Sequence, residues 1–277
     1  MIRINPFFHI ILTSLFFSTV LSAQNIFFKH LTTENGLSNN KVYDVIQDKN
    51  GFIWIATDDG LNRFDGYNVK VYQHKKNDKS SLSNNSVWVL FEDEKGIIWI
   101  GTKSGELNRY DPKTDKFAHW EIKSDLIKEN SIKAIYQDSK GAIWIGTYKS
   151  GLYRFDPVTK KTENWRNDPN NKLSLSNNYV TSILEDNKGN LLVSTYIGLN
   201  KFNYGKTKNK FFRFYNEPNN TNSLSNNLIW ALSKSKNDPE IIWIGTADGL
   251  TKYNSKQERF FRLEIPNPEK IQFGSSV

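Results

Sequence analysis

The sequence predicts an all-β fold in which one four-stranded unit is copied five times. The first of three observations behind this is a recurring phrase. Gly51-Phe52-Ile53-Trp54-Ile55-Ala56-Thr57 returns as Gly96-Ile97-Ile98-Trp99-Ile100-Gly101-Thr102 and as Gly141-Ala142-Ile143-Trp144-Ile145-Gly146-Thr147. A degenerate copy at 189–195 has Leu192 in the Trp place, and a fifth at 241–246 centres on Trp243. The second observation is the period. The Trp-equivalent positions 54, 99, 144, 192 and 243 lie 45, 45, 48 and 51 residues apart, the mark of a repeat architecture. The third is composition. Aromatics make up 14% of the 277 residues and Cys is absent, so packing and ladder hydrogen bonds must supply the stability. β-branched and aromatic runs between glycines read as buried strands.

Each unit opens on a turn. Gly36-Leu37-Ser38-Asn39-Asn40 is matched by Ser81-Leu82-Ser83-Asn84-Asn85, by 174–178 and by 223–227, while the third copy is reduced to Glu129-Asn130-Ser131. Ser and Asn side chains bond nearby backbone, so the phrase predicts a structured turn. Strand A follows at 42–46, 87–91, 132–136, 180–184 and 229–232. The position two after its first apolar residue is Asp44, Val89, Ala134, Ser182 or Ala231, mostly small, as a crowded inner strand requires. An Asp-x-x-Gly turn at 48–51, 93–96, 138–141 and 186–189 leads into strand B, the Trp strand. The fifth copy has Asn237-Asp238-Pro239 there, which predicts a longer hairpin.

Strand C begins at Gly60, Gly105, Gly151, Gly198 and Gly249, and Pro112 and Pro157 close two copies of it, because Pro cannot continue a ladder. Strand D is looser, at 69–74, 116–120, 161–165, 211–215 and 259–263. Four strands at this period make a β-propeller blade. The blades fall at about 36–75, 81–122, 129–166, 174–216 and 223–265. Trp54, Trp99, Trp144 and Trp243 are expected to fill the gaps between neighbouring blades, with Leu192 packing less. Residues 26–31 read as a further strand D with no partner strands, and 266–277 do not restart the turn phrase. The ring is therefore expected to be incomplete, a fragment of a roughly seven-bladed propeller; a closed five-bladed ring with a spare strand is the alternative.

Residues 1–23 read as a cleaved signal peptide. Arg3 supplies the positive flank, 7–21 is mostly apolar, and Leu21-Ser22-Ala23 offers a small-residue cleavage site. An uncleaved membrane anchor is the alternative. The remainder, 24–277, is the propeller. Net charge is +8. Export argues against a nucleic-acid partner, and the lysines scatter along loops, so a solvated surface explains the charge and attraction to anionic polysaccharides stays open.

The joint pattern resembles the two-component regulator propeller repeat. The phrases that carry the resemblance are Leu-Ser-Asn-Asn, Asp-x-x-Gly-x-Ile-Trp-Ile-Gly-Thr and Gly-Leu-x-Arg-Phe-Asp, nearly intact at 36–65 and 81–111. The resemblance covers about 25–265. It implies the periplasmic sensor region of a Bacteroides-type hybrid two-component histidine kinase, anchored in the inner membrane and working as a homodimer. Further propeller blades, a membrane helix and the kinase would then belong to segments that these residues do not include.

No catalytic residue, metal site or cofactor is expected. There is no Cys nucleophile, Gly-x-Ser-x-Gly elbow or phosphate-binding Gly loop. His30, His74 and His119 fall on strand D of successive units, which would place them apart. Asp58, Asp59 and Asp248 sit on B–C turns of one face and are the only carboxylate set to consider for glycoside hydrolysis or lysis. The repeating Asp48, Asp93, Asp138 and Asp186 are turn formers. For binding, residues that break the repeat are the informative ones. Trp88 and Trp230 stand where Tyr43, Lys133 and Thr181 stand in other strands A; Tyr148 and Tyr196 follow the strand B Thr where others have Asp58, Lys103 and Ala247. Exposed aromatics stack on sugar rings, so these four are the candidate ligand residues, with blade-to-blade packing as the alternative. The functional reading is a sensor that binds an oligosaccharide fragment. A truncated scaffold without a ligand, and more distantly a propeller hydrolase or lyase, are the alternatives.

Overall fold

Among the described residues twenty strands form in chain order, four to a repeat. The structure, a computed structural model, describes residues 28, 30–121, 130–205 and 209–263. The expected signal at 1–23 and the tail from 266 lie outside the described residues. So does much of the expected strand at 26–31, in which Phe28, His30 and Leu31 are not in a strand. The chain divides into residues 1–31 and 32–277, and the architecture is that of the second unit.

The first sheet comprises β1 (Val42–Gln47), β2 (Ile53–Thr57), β3 (Gly60–Phe64) and β4 (Val69–Tyr72). The second comprises β5 (Val87–Glu92), β6 (Ile98–Thr102), β7 (Glu106–Asp111) and β8 (Lys116–Glu121). The third comprises β9 (Ile132–Gln137), β10 (Ile143–Thr147), β11 (Leu152–Phe155) and β12 (Thr162–Trp165). The fourth comprises β13 (Val180–Glu185), β14 (Leu191–Thr195), β15 (Leu199–Phe202) and β16 (Phe211–Phe214). The fifth comprises β17 (Ile229–Lys234), β18 (Ile241–Thr246), β19 (Gly249–Asn254) and β20 (Arg259–Arg262). Each sheet is an antiparallel meander. The innermost strands pack in the order β1, β5, β9, β13, β17, and no comparable contact joins β17 back to β1. The five blades form an incomplete ring.

The core is the set of gaps between blades. Trp54, Trp99 and Trp144 are buried, and each lies against the next blade: Trp54 on Tyr110 with ring centroids 4.9 Å apart, Trp99 on Phe155 at 6.2 Å, Trp144 on Phe202 at 5.8 Å. Burying an indole of this size stabilises the fold by roughly 4–6 kcal/mol. The turn aspartates hold these rings. Asp48, Asp93 and Asp138 each accept the indole Nε1–H through Oδ2, at 2.8, 2.9 and 2.7 Å. Through Oδ1 the same carboxylates accept two backbone N–H groups of their own turn.

Two repeats depart from this. Leu192 does not pack less: it is fully buried. What it lacks is the indole donor, and Asn190 Nδ2 takes its place on Asp186. Facing it, the buried Tyr253 hydroxyl has no hydrogen-bond partner. Trp243 is only half buried, because no described blade follows the fifth to cover it.

The opening turn bolts each blade together and to its predecessor. Ser38 N–H donates to Asn62 Oδ1 and Asn62 Nδ2 donates back to Ser38 Oγ; Ser83 with Asn108 and Ser176 with Asn200 repeat the pair. The carbonyls of Asn85, Asn178 and Asn227 accept from Gly60, Gly151 and Gly198 of the preceding blade. Those glycines have positive φ, and a Cβ on Gly151 would lie 2.2 Å from the Trp165 carbonyl oxygen. The inner strands are linked as well. Asp44 accepts the Leu90 N–H at 2.8 Å, and burial pushes its carboxyl above the usual range.

Blade spacing is set by the small residue before the strand B Thr. A Cβ on Gly146 would stand 2.5 Å from Val180 Cγ1 of the next blade, whereas one on Gly245 would meet nothing closer than 3.9 Å. Gly146→Ala should therefore cost about 1–3 kcal/mol through overpacking. Gly245→Ala should fall within about 0.5 kcal/mol of the parent. Thermal unfolding of the two variants side by side checks this; equal midpoints would show that the third and fourth blades are not seated at this distance.

Candidate functional site: an aromatic row across five blades

In all five A–B pairs the register slips at one place, between 42 and 44, 87 and 89, 132 and 134, 180 and 182, and 229 and 231. A β-bulge leaves one residue unpaired and re-aims its side chain. The bulge residues are Tyr43, Trp88, Lys133, Thr181 and Trp230. Beside the bulge in the second to fifth blades, the residue before strand A and the residue after the strand B Thr are joined by a backbone bond. Lys103 N–H donates to Ser86 O at 2.9 Å, Tyr148 to Ser131 O at 3.0 Å and Tyr196 to Tyr179 O at 3.2 Å. Three columns of side chains thus meet on one face, free of the ladder that builds the blades.

The columns carry a nearly continuous row. Tyr43 stacks on Trp88 with centroids 4.8 Å apart. Lys133 Nζ stands 2.8 Å above the Trp88 ring, and 5.8 and 5.9 Å from the Tyr148 and Tyr179 rings. Tyr148 meets Tyr179 edge-on at 4.7 Å, Tyr179 stacks on Tyr196 at 3.9 Å, and Tyr196 meets Trp230 edge-on at 5.6 Å. Trp230 is 51% exposed and Tyr148 39%, so their faces remain available to a ligand. All four sequence-derived candidates, Trp88, Tyr148, Tyr196 and Trp230, join this row.

The sequence reading missed Tyr43, Tyr179 and Lys133, which link the four. Tyr43 and Lys133 sit in the same alignment column as Trp88 and Trp230. Reading the whole column, rather than its exceptions, is the signal that would have found them. The face also gathers lysines that look scattered in the chain. Lys41 lies 5.0 Å from the Tyr43 ring and Lys149 5.0 Å from the Tyr148 ring. Burial, with Lys103 adding repulsion, pushes the Lys133 ammonium down to about 8.

The two carboxylates of the first B–C turn are tied up. Asp58 accepts from Ser86 Oγ at 2.6 Å and from Lys41 Nζ at 3.3 Å; the Ser86 bond first, then Lys41, hold its carboxyl below the ordinary range. A general acid needs the opposite shift. Asp59 accepts from Asn85 Nδ2 at 3.0 Å. The histidines are not all apart as expected. His74 and His119 line one shallow cavity of about 170 Å³ with Glu106. His74 is held there by Leu82 O at 2.8 Å, and no group of three metal-ligating side chains occurs among the described residues. Larger cavities, about 630 Å³ around β16 and about 390 Å³ between β4 and β8, lie at the outer strands and do not include the aromatic row.

Comparison with known proteins fits this arrangement. The sequence pattern of the two component regulator propeller matches residues 36–59, 81–104, 127–149 and 174–196. A 76-residue stretch is 45% identical to histidine kinase P4 of Formosa agariphila, covering 27% of this chain and 6% of that protein. A crystal structure described as the extracellular domain of a hybrid two component system from B. thetaiotaomicron is 25% identical over 86% of this chain and 37% of that one, with a TM-score of 0.51. Virginiamycin B lyase from Staphylococcus aureus shares the fold at 13% identity and a TM-score of 0.61, over 82% of this chain and 71% of that one. This chain therefore spans well under half the length of the histidine kinase and of the extracellular domain.

Lys133 gives the face a stability signature. In the unfolded chain it titrates near 10.5, and in the folded chain near 8. Between those values the unfolded state holds more protons, so stability rises with pH across that window. The difference in unfolding free energy between the parent and Lys133→Met should accordingly shift in the parent's favour from pH 8 to pH 10.5. Chemical denaturation at a series of pH values measures it; parallel curves would mean that Lys133 is as solvated folded as unfolded.

Proposed function

We propose that this chain, which carries the repeats of the two component regulator propeller family, is the ligand-sensing propeller of a hybrid two-component system. It acts outside the cytoplasm, in the periplasm, after removal of a signal peptide at 1–23. It recognises a carbohydrate fragment and passes the signal to a histidine kinase carried by segments beyond these residues, in a homodimer anchored in the inner membrane. It binds rather than catalyses. The observation that carries this reading is the aromatic row. Rings from all five blades meet along one surface, and a pyranose ring has apolar C–H faces suited to those left exposed, Tyr148 and Trp230 among them. The likeness to the B. thetaiotaomicron extracellular domain supports the setting.

Calorimetric titration against a panel of oligosaccharides tests the proposal. At least one glycan should give a saturable heat. Trp88→Ala and Trp230→Ala should each weaken it by about tenfold or more, on the order of 1.4 kcal/mol, with the unfolding midpoint little changed. Absence of heat with every glycan, or affinity indifferent to both substitutions, would sink it.

A further inference from the structure

Among the described residues, the side chain at the centre of the row is a cation without a counter-charge. Lys133 is half buried, its ammonium seated on the Trp88 face with Tyr148 and Tyr179 beside it. Among the described residues no carboxylate lies within ion-pair distance of it. The ionised group acting on it is Lys103, which repels it. Lys149 and Lys41 add positive charge along the same face. The described carboxylates of the B–C turns do not answer it: Asp58 is bonded to Ser86 and Lys41, Asp59 to Asn85, Glu106 to Thr102 and Ser104, and Asp248 lies two blades away. An aromatic face attracts a cation but cannot neutralise it, and a desolvated charge repelled by a like charge calls for an anion.

We propose that this face receives an anionic sugar, a glycoside bearing a carboxylate or sulfate group, whose charge pairs with Lys133 while its ring stacks on the aromatic row. The proposal rests on the reading of the chain as a carbohydrate-binding module. It adds the class of sugar and the residue that selects it. A neutral sugar would gain the stacking and leave Lys133 unpaired; an anionic one would gain both. The lysine need not move far, since the rings that hold it are the ones the sugar would lie against.

Because Lys133 titrates near 8, an arriving anion should raise its pKa and draw a proton from solvent. The experiment is calorimetry at pH 8 in two buffers of different ionisation enthalpy. The probes are a trigalacturonate, a sulfated chondroitin oligosaccharide and a neutral galacto-oligosaccharide. At least one anionic probe should bind about tenfold or more tighter than the neutral one, with uptake of roughly half a proton. The carboxylate and sulfate arms show which group is taken. Lys133→Met should erase both the preference and the uptake, and Lys133→Arg should restore the preference without the uptake. Lys103→Met keeps the ring stack and lifts the repulsion, so it should reduce the uptake at pH 8. Unfolding midpoints check that each variant is folded. Neutral binding as tight as anionic, or a preference that survives in Lys133→Met, would overturn the inference while leaving the sensor reading intact. Failure of every glycan to bind would instead remove the sensor reading beneath it.

Discussion

The bond on which the structure depends most is the one between a turn carboxylate and a buried indole. In three blades a single Asp closes its own hairpin through Oδ1 and fixes a Trp through Oδ2. Local and tertiary structure therefore share one group. The turn cannot loosen without freeing the ring, and the ring cannot leave without exposing an acceptor that is otherwise satisfied. An unpaired buried polar atom costs about 1–3 kcal/mol, so neither change is neutral. The fourth blade shows how tightly the pair is specified: with Leu in the Trp place, an Asn side chain from the same turn supplies the missing donor.

Most of this fold was legible in the chain. Strand A to strand D were readable because each is bounded by turn residues with a mechanism, and the structure places them within a residue or two of the expected limits. The double use of the turn aspartates was not legible, because the five residues between Asp48 and Trp54 give no hint that the indole folds back on its own turn. The end of the repeat was harder. Trp243 looks like its counterparts within strand B, but its turn is Asn237-Asp238-Pro239 in place of Asp-x-x-Gly, and no described blade covers it. Leu192 looked like a packing defect, yet the neighbouring side chains close around it and the deficit appears as an unbonded hydroxyl on Tyr253 instead.

The candidate site was half legible for a related reason. Repeat-breaking aromatics stand out against a periodic background, and Trp88, Tyr148, Tyr196 and Trp230 were found that way. Proximity between residues about 45 apart depends on the blade-to-blade offset and on the bulge. A plain alternation of strand residues would have sent Trp88 and Lys133 to a sheet face. The bulge gives each inner strand one residue outside the ladder, and that residue can vary from Tyr to Lys to Thr without changing the pairing around it. Variation at this position has little effect on the blade and a large effect on the surface.

That separation of duties also ties the face to the core. The rings of the row come from successive blades, so their spacing is the spacing of the blades. It is fixed where Gly101 meets Ile132 and Gly146 meets Val180, with room for hydrogen but not for a methyl group. A ligand lying across the row must fit distances that the packed interior sets, and any shift between neighbouring blades would alter how the rings address it. Tyr179 stacked on Tyr196 within one blade is insensitive to such a shift. Tyr43 on Trp88, Lys133 on Trp88, and Tyr196 against Trp230 each cross a blade boundary and register it directly. Recognition and blade geometry are in this sense one variable, read at the surface and determined in the gaps between sheets.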